Sequence, residues 1–144
     1  MHAHILEILL EPIQKRLSTN TTCQVLTIAC GSGYIIGALA RILDSHVIGL
    51  ESRKRMYENS VANLKKDMTQ SGEYNLTSRA KVYHCDGRRG WPVDSTVATY
   101  AAIYVAGAVS EVPQPLRDQL HVGGRLLIPG KAVASTEQTK KIFF

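Results

Sequence analysis

Cys23-Gln24-Val25-Leu26-Thr27-Ile28-Ala29 is a short apolar run that stops at Cys30-Gly31-Ser32-Gly33, and from Tyr34 to Leu43 the residues Ile35, Ile36, Leu39 and Ile42 recur at helical spacing. His46-Val47-Ile48-Gly49-Leu50 follows as a second apolar run and ends at Glu51. Strand, glycine turn, helix and strand in this order make a βαβ unit. Neither run alternates strictly between apolar and polar residues, which marks parallel strands covered on both faces.

The same order extends in both directions. Upstream, Ile5, Leu6, Leu9, Leu10, Ile13 and Leu17 fall at helical spacing, with Pro12 expected to kink or break that helix. Downstream, a long helix is expected from Ser52 to about Met68, with Met56, Tyr57, Val61, Leu64 and Met68 on its apolar stripe. Thr69 to Ser78 reads as a polar loop, Lys81 to His84 as a third strand and Ala101 to Val105 as a fourth. A short helix over Leu116 to Leu120 follows Pro113 and Pro115, His121-Val122-Gly123-Gly124 reads as a turn, and Arg125 to Ile128 is a fifth strand. This alternation predicts a single α/β domain over residues 1–144, a mostly parallel sheet with helices on both faces. In such sheets ligands bind beyond the carboxyl ends of the strands. The residues there are Gly31 to Tyr34, Glu51 to Ser52, Asp86 to Arg88 and Ala106 to Ala108.

Composition narrows the function classes. A chain that is 44% hydrophobic and 20% charged is not wholly disordered. Val97 to Val109, the longest weakly polar run, falls short of the roughly 20 apolar residues that span a bilayer. Glu7 and Glu11 interrupt the apolar residues at the amino end, which argues against a signal peptide. Three cysteines without a C-x-x-C pair argue against a disulfide framework and a structural zinc, and place the chain among cytoplasmic domains. The net charge of +5 has one dense cluster, Arg53-Lys54-Arg55 with Lys65-Lys66 beyond it, which reads as a solvated helix surface and not as a nucleic-acid footprint.

The chemistry concentrates at the strand tips. Gly31 and Gly33 let the backbone approach a ligand closely, and the helix that follows offers free N–H groups. Gly-Ser-Gly is also a common turn, so Glu51 decides the reading. It stands close to the roughly 20-residue offset at which an acid binds ribose hydroxyls, where a carboxylate accepts two hydrogen bonds from a vicinal diol. The other reading of Glu51 is an acid at the entry of a helix, although that helix opens with three cations that the dipole disfavours. Asp86-Gly87 is placed to cap an adenine amino group, or is an ordinary turn. The dinucleotide pattern G-x-G-x-x-G fails because the third glycine, Gly37, comes one place late, which points to a nucleoside cofactor other than a nicotinamide.

The order of segments resembles the protein-L-isoaspartate (D-aspartate) O-methyltransferase family. The matching pieces are Met1-His2-Ala3-His4, Gly31-Ser32-Gly33-Tyr34, Val47-Ile48-Gly49-Leu50-Glu51, Asn59-Ser60-Val61-Ala62-Asn63-Leu64 and Asp86-Gly87-Arg88. They continue through Val112-Pro113-Gln114, Asp118-Gln119-Leu120 and Gly123-Gly124-Arg125-Leu126. The resemblance implies a Rossmann-like methyltransferase fold and methyl transfer from S-adenosyl-L-methionine to the carboxyl group of L-isoaspartyl and D-aspartyl residues in damaged proteins, a repair reaction. It implies cofactor contacts at His2, Gly31, Ser32, Gly33, Glu51, Ser52, Asp86 and Gly87, and isoaspartyl-containing proteins and peptides as partners. The substrate carboxylate is ionised at neutral pH, so the reaction requires no strong general base.

The departures from the family carry expectations of their own. The family usually has an acid where this chain has Thr27, Gly where it has Ala29, and Asp where it has Ala101. The serine that the family assigns to its active site lies upstream of residue 1, so no catalytic residue is expected within the chain, which reads as truncated at both ends. A sheet that stops at Arg125 to Ile128 leaves an edge uncovered, and such an edge predicts self-association. Two other readings stand beside the repair enzyme. One is an impaired or inactive relative that still binds S-adenosyl-L-methionine. The other is a nucleic-acid methyltransferase, for which no Asp-Pro-Pro-Tyr or Asn-Pro-Pro-Tyr segment is present.

Overall fold

In the computed structural model of the protein, residues 2–19, 23–42, 45–71, 76–97, 99–128 and 141–143 are described. In chain order the elements are α1 (His2–Thr19), β1 (Gln24–Ile28), α2 (Tyr34–Ile42), β2 (His46–Glu51), α3 (Lys54–Ser71), α4 (Leu76–Arg79), β3 (Ala80–His84), a 3-10 turn (Gly87–Arg89), β4 (Tyr100–Val105), α5 (Gln114–Gln119), β5 (Leu120–Leu127) and β6 (Lys141–Phe143). The strands form one sheet in the order β3-β2-β1-β4-β5-β6, and every neighbouring pair is parallel. The chain therefore winds outward from β1 to β3 and returns to the other side of β1 as β4. That reversal puts the crevice of an open sheet at the carboxyl ends of β1 and β4.

Successive strand residues point to opposite faces, and each face has its own apolar core. Val25, Val47, Ala102, Tyr104 and Leu127 pack with Ile5, Leu9 and Ile13 of α1, Ile36 and Leu39 of α2 and Leu64 of α3. Leu26, Leu50, Ile103, Val105 and Leu126 pack with Leu116 of α5, Val112 and the half-buried Trp91. Burial on both faces explains the lack of strict alternation in the strand sequences.

Four expectations need correction. First, α1 runs unbroken through Pro12. A proline has no N–H to give to the carbonyl one turn back, and here that carbonyl, of Ile8, accepts from Arg125 Nη1 at 2.6 Å instead. Arg125 is itself buried, and its Nη2 lies 2.6 Å from Glu11 Oε2. Second, helix replaces much of the expected 69–78 loop, through the end of α3 and the short α4; residues 72–75, like Leu43 at the expected end of α2, lie outside the described residues.

Third, His121 to Gly124 do not form a turn ahead of the fifth strand but lie within it. Tyr100 pairs with Leu120 and Ala102 with Arg125, so the intervening residues form an irregularity inside β5, with Gly123 at φ 80°. A Cβ on Gly124 would crowd the carbonyls of His121 and Ala101, so the strand passes there only as glycine. Fourth, β5 is not the edge of the sheet. Lys141, Ile142 and Phe143 pair with Arg125, Leu126 and Leu127, so the uncovered edge on which self-association was expected is occupied by β6.

Candidate functional site

The site grows from the tip of β1. Ala29 follows Ile28 at φ 56°, in the left-handed region, and its N–H donates to the carbonyl of Leu50 at 2.9 Å. This turns the chain across the end of β2. Gly31 and Gly33, at φ 57° and 82°, continue the turn, and the N–H of Gly33 closes it on the carbonyl of Cys30 at 3.0 Å. A Cβ on Gly33 would press on Ser60 and Leu64 of α3, so this glycine also allows loop and helix to touch. Ser32 is exposed, its Oγ accepts from the N–H of Tyr34 at 3.4 Å, and its carbonyl accepts from Asn63 Nδ2 at 3.1 Å.

Glu51 is 1% exposed at the tip of β2. Its Oε2 accepts the N–H of Gly31 at 3.2 Å, and its Oε1 accepts the N–H of Arg53 at 3.0 Å. One oxygen thus holds the glycine loop, and the other holds the approach to α3, as the helix-entry reading of this acid has it. A carboxylate has about four lone-pair sites, so acceptor capacity remains for a diol beside the loop. Arg53 reaches the same carboxylate at 3.5 Å from a mostly exposed position.

His2, the first residue of α1, stacks obliquely on Tyr34 with ring centroids 5.2 Å apart, which brings the amino end of α1 to the exit of the glycine loop. Ser52 is exposed, and its carbonyl lies 3.0 Å from His84 Nε2. Beyond β3, the N–H of Cys85 donates to the carbonyl of Glu51 at 3.1 Å, which brings Asp86-Gly87 alongside. Gly87 is buried, and an added Cβ would run into the Ile28 side chain at the tip of β1, so only glycine lets this turn pack there. The fold thus gathers His2, Gly31, Ser32, Gly33, Glu51, Ser52, Asp86 and Gly87 along the carboxyl edge of β1, β2 and β3.

Asp86 is the member whose state the sequence does not disclose. Its Oδ1 accepts the N–H of Arg88 at 3.0 Å, and the Arg88 guanidinium reaches Oδ2 at 2.9 Å and 2.6 Å. The hydrogen bonds from Arg88 hold the Asp86 carboxyl below the usual carboxylate range. Arg88 thus takes up much of the Asp86 carboxylate, and because both side chains are exposed the pair is weak and open to competition from another donor. Cys30, inside the loop, is a poor nucleophile: burial first and the neighbouring Glu51 second push its thiol up to about 11. Thr27, where the family usually has an acid, is buried and donates to the carbonyl of Ile48 at 3.3 Å. A separate cavity of about 630 Å³ lies between α2 and α3, and of the expected cofactor residues only Ser32 and Gly33 line it.

A parallel sheet whose order reverses at β1, a glycine loop after β1 and a buried acid at the tip of β2 define the class of doubly wound domains that take a nucleoside cofactor across their carboxyl edge. The protein-L-isoaspartate(D-aspartate) O-methyltransferase family profile matches residues 1–143, and the chain belongs to that family. It is 32% identical over 131 residues to protein-L-isoaspartate O-methyltransferase 2 of Arabidopsis thaliana, a match that covers 90% of this chain and 39% of that one. It is 40% identical over 106 residues to the protein-L-isoaspartate O-methyltransferase of Vibrio atlanticus, covering 74% of this chain and 45% of the relative. Among solved structures it resembles a protein-L-isoaspartate O-methyltransferase from Plasmodium falciparum in complex with S-adenosyl-L-homocysteine, with a TM-score of 0.69, 26% identity and coverage of 90% of this chain and 58% of that one. The chain thus spans less than half the length of these two curated relatives.

Proposed function

We propose that residues 1–144 act as one S-adenosyl-L-methionine-dependent methyltransferase domain whose substrates are the carboxyl groups of L-isoaspartyl and D-aspartyl residues in damaged proteins and peptides. The observation that carries this reading is the buried Glu51 carboxylate bonded to the N–H of Gly31 at the tip of β2, in a chain matched by the family over residues 1–143. The residues present fit the cofactor. In this reading Glu51 would take the ribose hydroxyls, the Gly31-Ser32-Gly33 backbone the amino-acid portion beside the start of α2, and Asp86-Gly87 the base. When bound, the cofactor supplies an activated methyl group.

The chain's own part in the chemistry is binding and alignment. An isoaspartyl carboxylate is already ionised at neutral pH, so the protein has to orient reactants and exclude water, not remove a proton. Alignment of this kind is a large contribution to rate. Among the described residues no helix is long and apolar enough to cross a membrane, and a reducing, cytoplasmic setting accords with three free cysteines.

The test is methyl transfer to an isoaspartyl peptide beside its aspartyl twin, run with a calorimetric titration of S-adenosyl-L-homocysteine. Selective methylation of the isoaspartyl peptide supports the repair reading. Cofactor binding without turnover would favour the impaired relative, and no binding at all would overturn the site.

A further inference from the structure

We propose that Gln119 is a positioning residue for the base side of the cofactor site, an inference that rests on the cofactor reading above. Gln119 ends α5 and is fully buried, on the face of the sheet away from α1, α2 and α3. Its carboxamide is spent on the loop that follows the 3-10 turn: Oε1 accepts the N–H of Trp91 at 2.8 Å, and Nε2 donates to the carbonyls of Pro92 at 3.1 Å and Ser95 at 3.0 Å. Its main-chain carbonyl accepts the N–H of Thr99 at 2.9 Å.

One buried side chain therefore holds the loop at residues 91, 92 and 95, and its backbone holds the far end. The link to the site is short. Gly90 caps the 3-10 turn at φ 67°, and its N–H donates to the carbonyl of Gly87 at 3.1 Å. A Cβ on Gly90 would overlap the Gln119 carboxamide, so the turn rests directly on this side chain. The turn in turn fixes Asp86, its N-cap, and Gly87, packed on Ile28. Trp91 stacks on Tyr83 with centroids 4.2 Å apart, and its carbonyl accepts from the Tyr100 hydroxyl, so the loop has a second support in the core. Gln119 thus sets where Asp86-Gly87 stands and leaves the Glu51 and glycine-loop contacts to β1 and β2. A carboxamide suits this task because it supplies one acceptor to the Trp91 N–H and two donors to the Pro92 and Ser95 carbonyls.

The division of labour predicts a ligand-selective defect. S-ribosyl-L-homocysteine has the ribose and amino-acid portions of S-adenosyl-L-homocysteine but no base. In Gln119→Leu, affinity for S-adenosyl-L-homocysteine should fall about tenfold while affinity for S-ribosyl-L-homocysteine changes less than about twofold. Trp91, the single tryptophan of the chain, reports the loop directly: its emission should respond to S-adenosyl-L-homocysteine in the wild type and lose that response in the variant. A purely structural role would move both affinities together or neither, and either result overturns the proposal. Should Gln119→Leu fail to fold, Gln119→Glu, which keeps the acceptor for Trp91 and loses the donors, serves for the same comparison with the same outcomes. A wild type that binds neither ligand would overturn the cofactor reading, and this inference with it.

Discussion

Substituting Ala29 tests the backbone geometry on which the glycine loop depends. At φ 56° this residue is in the left-handed region, held there by the hydrogen bond from its N–H to Leu50 and by the bond from Ala106 N–H to the carbonyl of Ile28 beside it. A Cβ in that region costs about 1–2 kcal/mol. Glycine removes that term but loses about 0.5–1 kcal/mol through the greater freedom of its unfolded chain, and part of a methyl group's burial is lost as well. Ala29→Gly should therefore stabilise by a net of about 0.5 kcal/mol, and raise the melting temperature by roughly 1–2 °C for a chain of this size. Ala29→Val supplies the contrast, because a β-branched side chain is a true outlier at positive φ. The expected order of stability is Gly above Ala above Val. An ordinary strand end gives the opposite order, since β-branched residues are favoured there and glycine is not. Chemical denaturation of the three proteins decides between them, and a valine variant at least as stable as the wild type would refute the left-handed turn.

Glu51→Ala removes the acceptor for Gly31 and Arg53 and the ribose contact together; S-adenosyl-L-homocysteine affinity should weaken by about 1–3 kcal/mol, and equal titration curves for variant and wild type would remove Glu51 from the site. Arg88→Ala should release Asp86, so that its carboxyl returns toward the ordinary range in an NMR titration, with cofactor affinity no weaker than wild type; a loss of affinity would mean that Arg88 itself touches the ligand. Cys30 and Cys23 both have thiols pushed up to about 11 from 9.0, chiefly by burial. Folding therefore favours their protonated forms, and that stabilisation is complete below pH 9 and is lost as the pH rises toward 11. Native protein at pH 9 should accordingly alkylate far more slowly than unfolded protein, and equal rates would contradict the burial.

The glycine loop, the first four strands and the acid at the tip of β2 were legible because each leaves a local pattern: apolar runs at β1, β2 and β4, the strand formers Val82 and Tyr83 at β3, and glycines or an acid where a run ends. What escaped the sequence is what depends on distant partners. Pro12 looked like a helix breaker because the guanidinium that serves the Ile8 carbonyl lies 117 positions away. Gly123-Gly124 looked like a turn because nothing local tells a turn from an irregularity inside β5, whose pairing with β4 skips from Leu120 to Arg125. β6 has three residues, too few to show a period. Asp86 could be assigned to a base, but not seen to be held by Arg88. Gln119 drew no attention because its partners are backbone groups of a loop, which carry no sequence signal.

The pairing of Pro12 with Arg125 constrains the order in which this family member can change. While Pro12 is present, losing Arg125 strands a half-buried carbonyl, a defect of about 1–3 kcal/mol. Once position 12 carries an ordinary residue, the helix satisfies Ile8 by itself and that part of the guanidinium's role is redundant. The reverse route is the costlier one, because a proline arriving at position 12 after Arg125 has gone leaves the same carbonyl without a protein donor. The two sites are therefore epistatic, and the order that changes Pro12 before Arg125 is the less costly one.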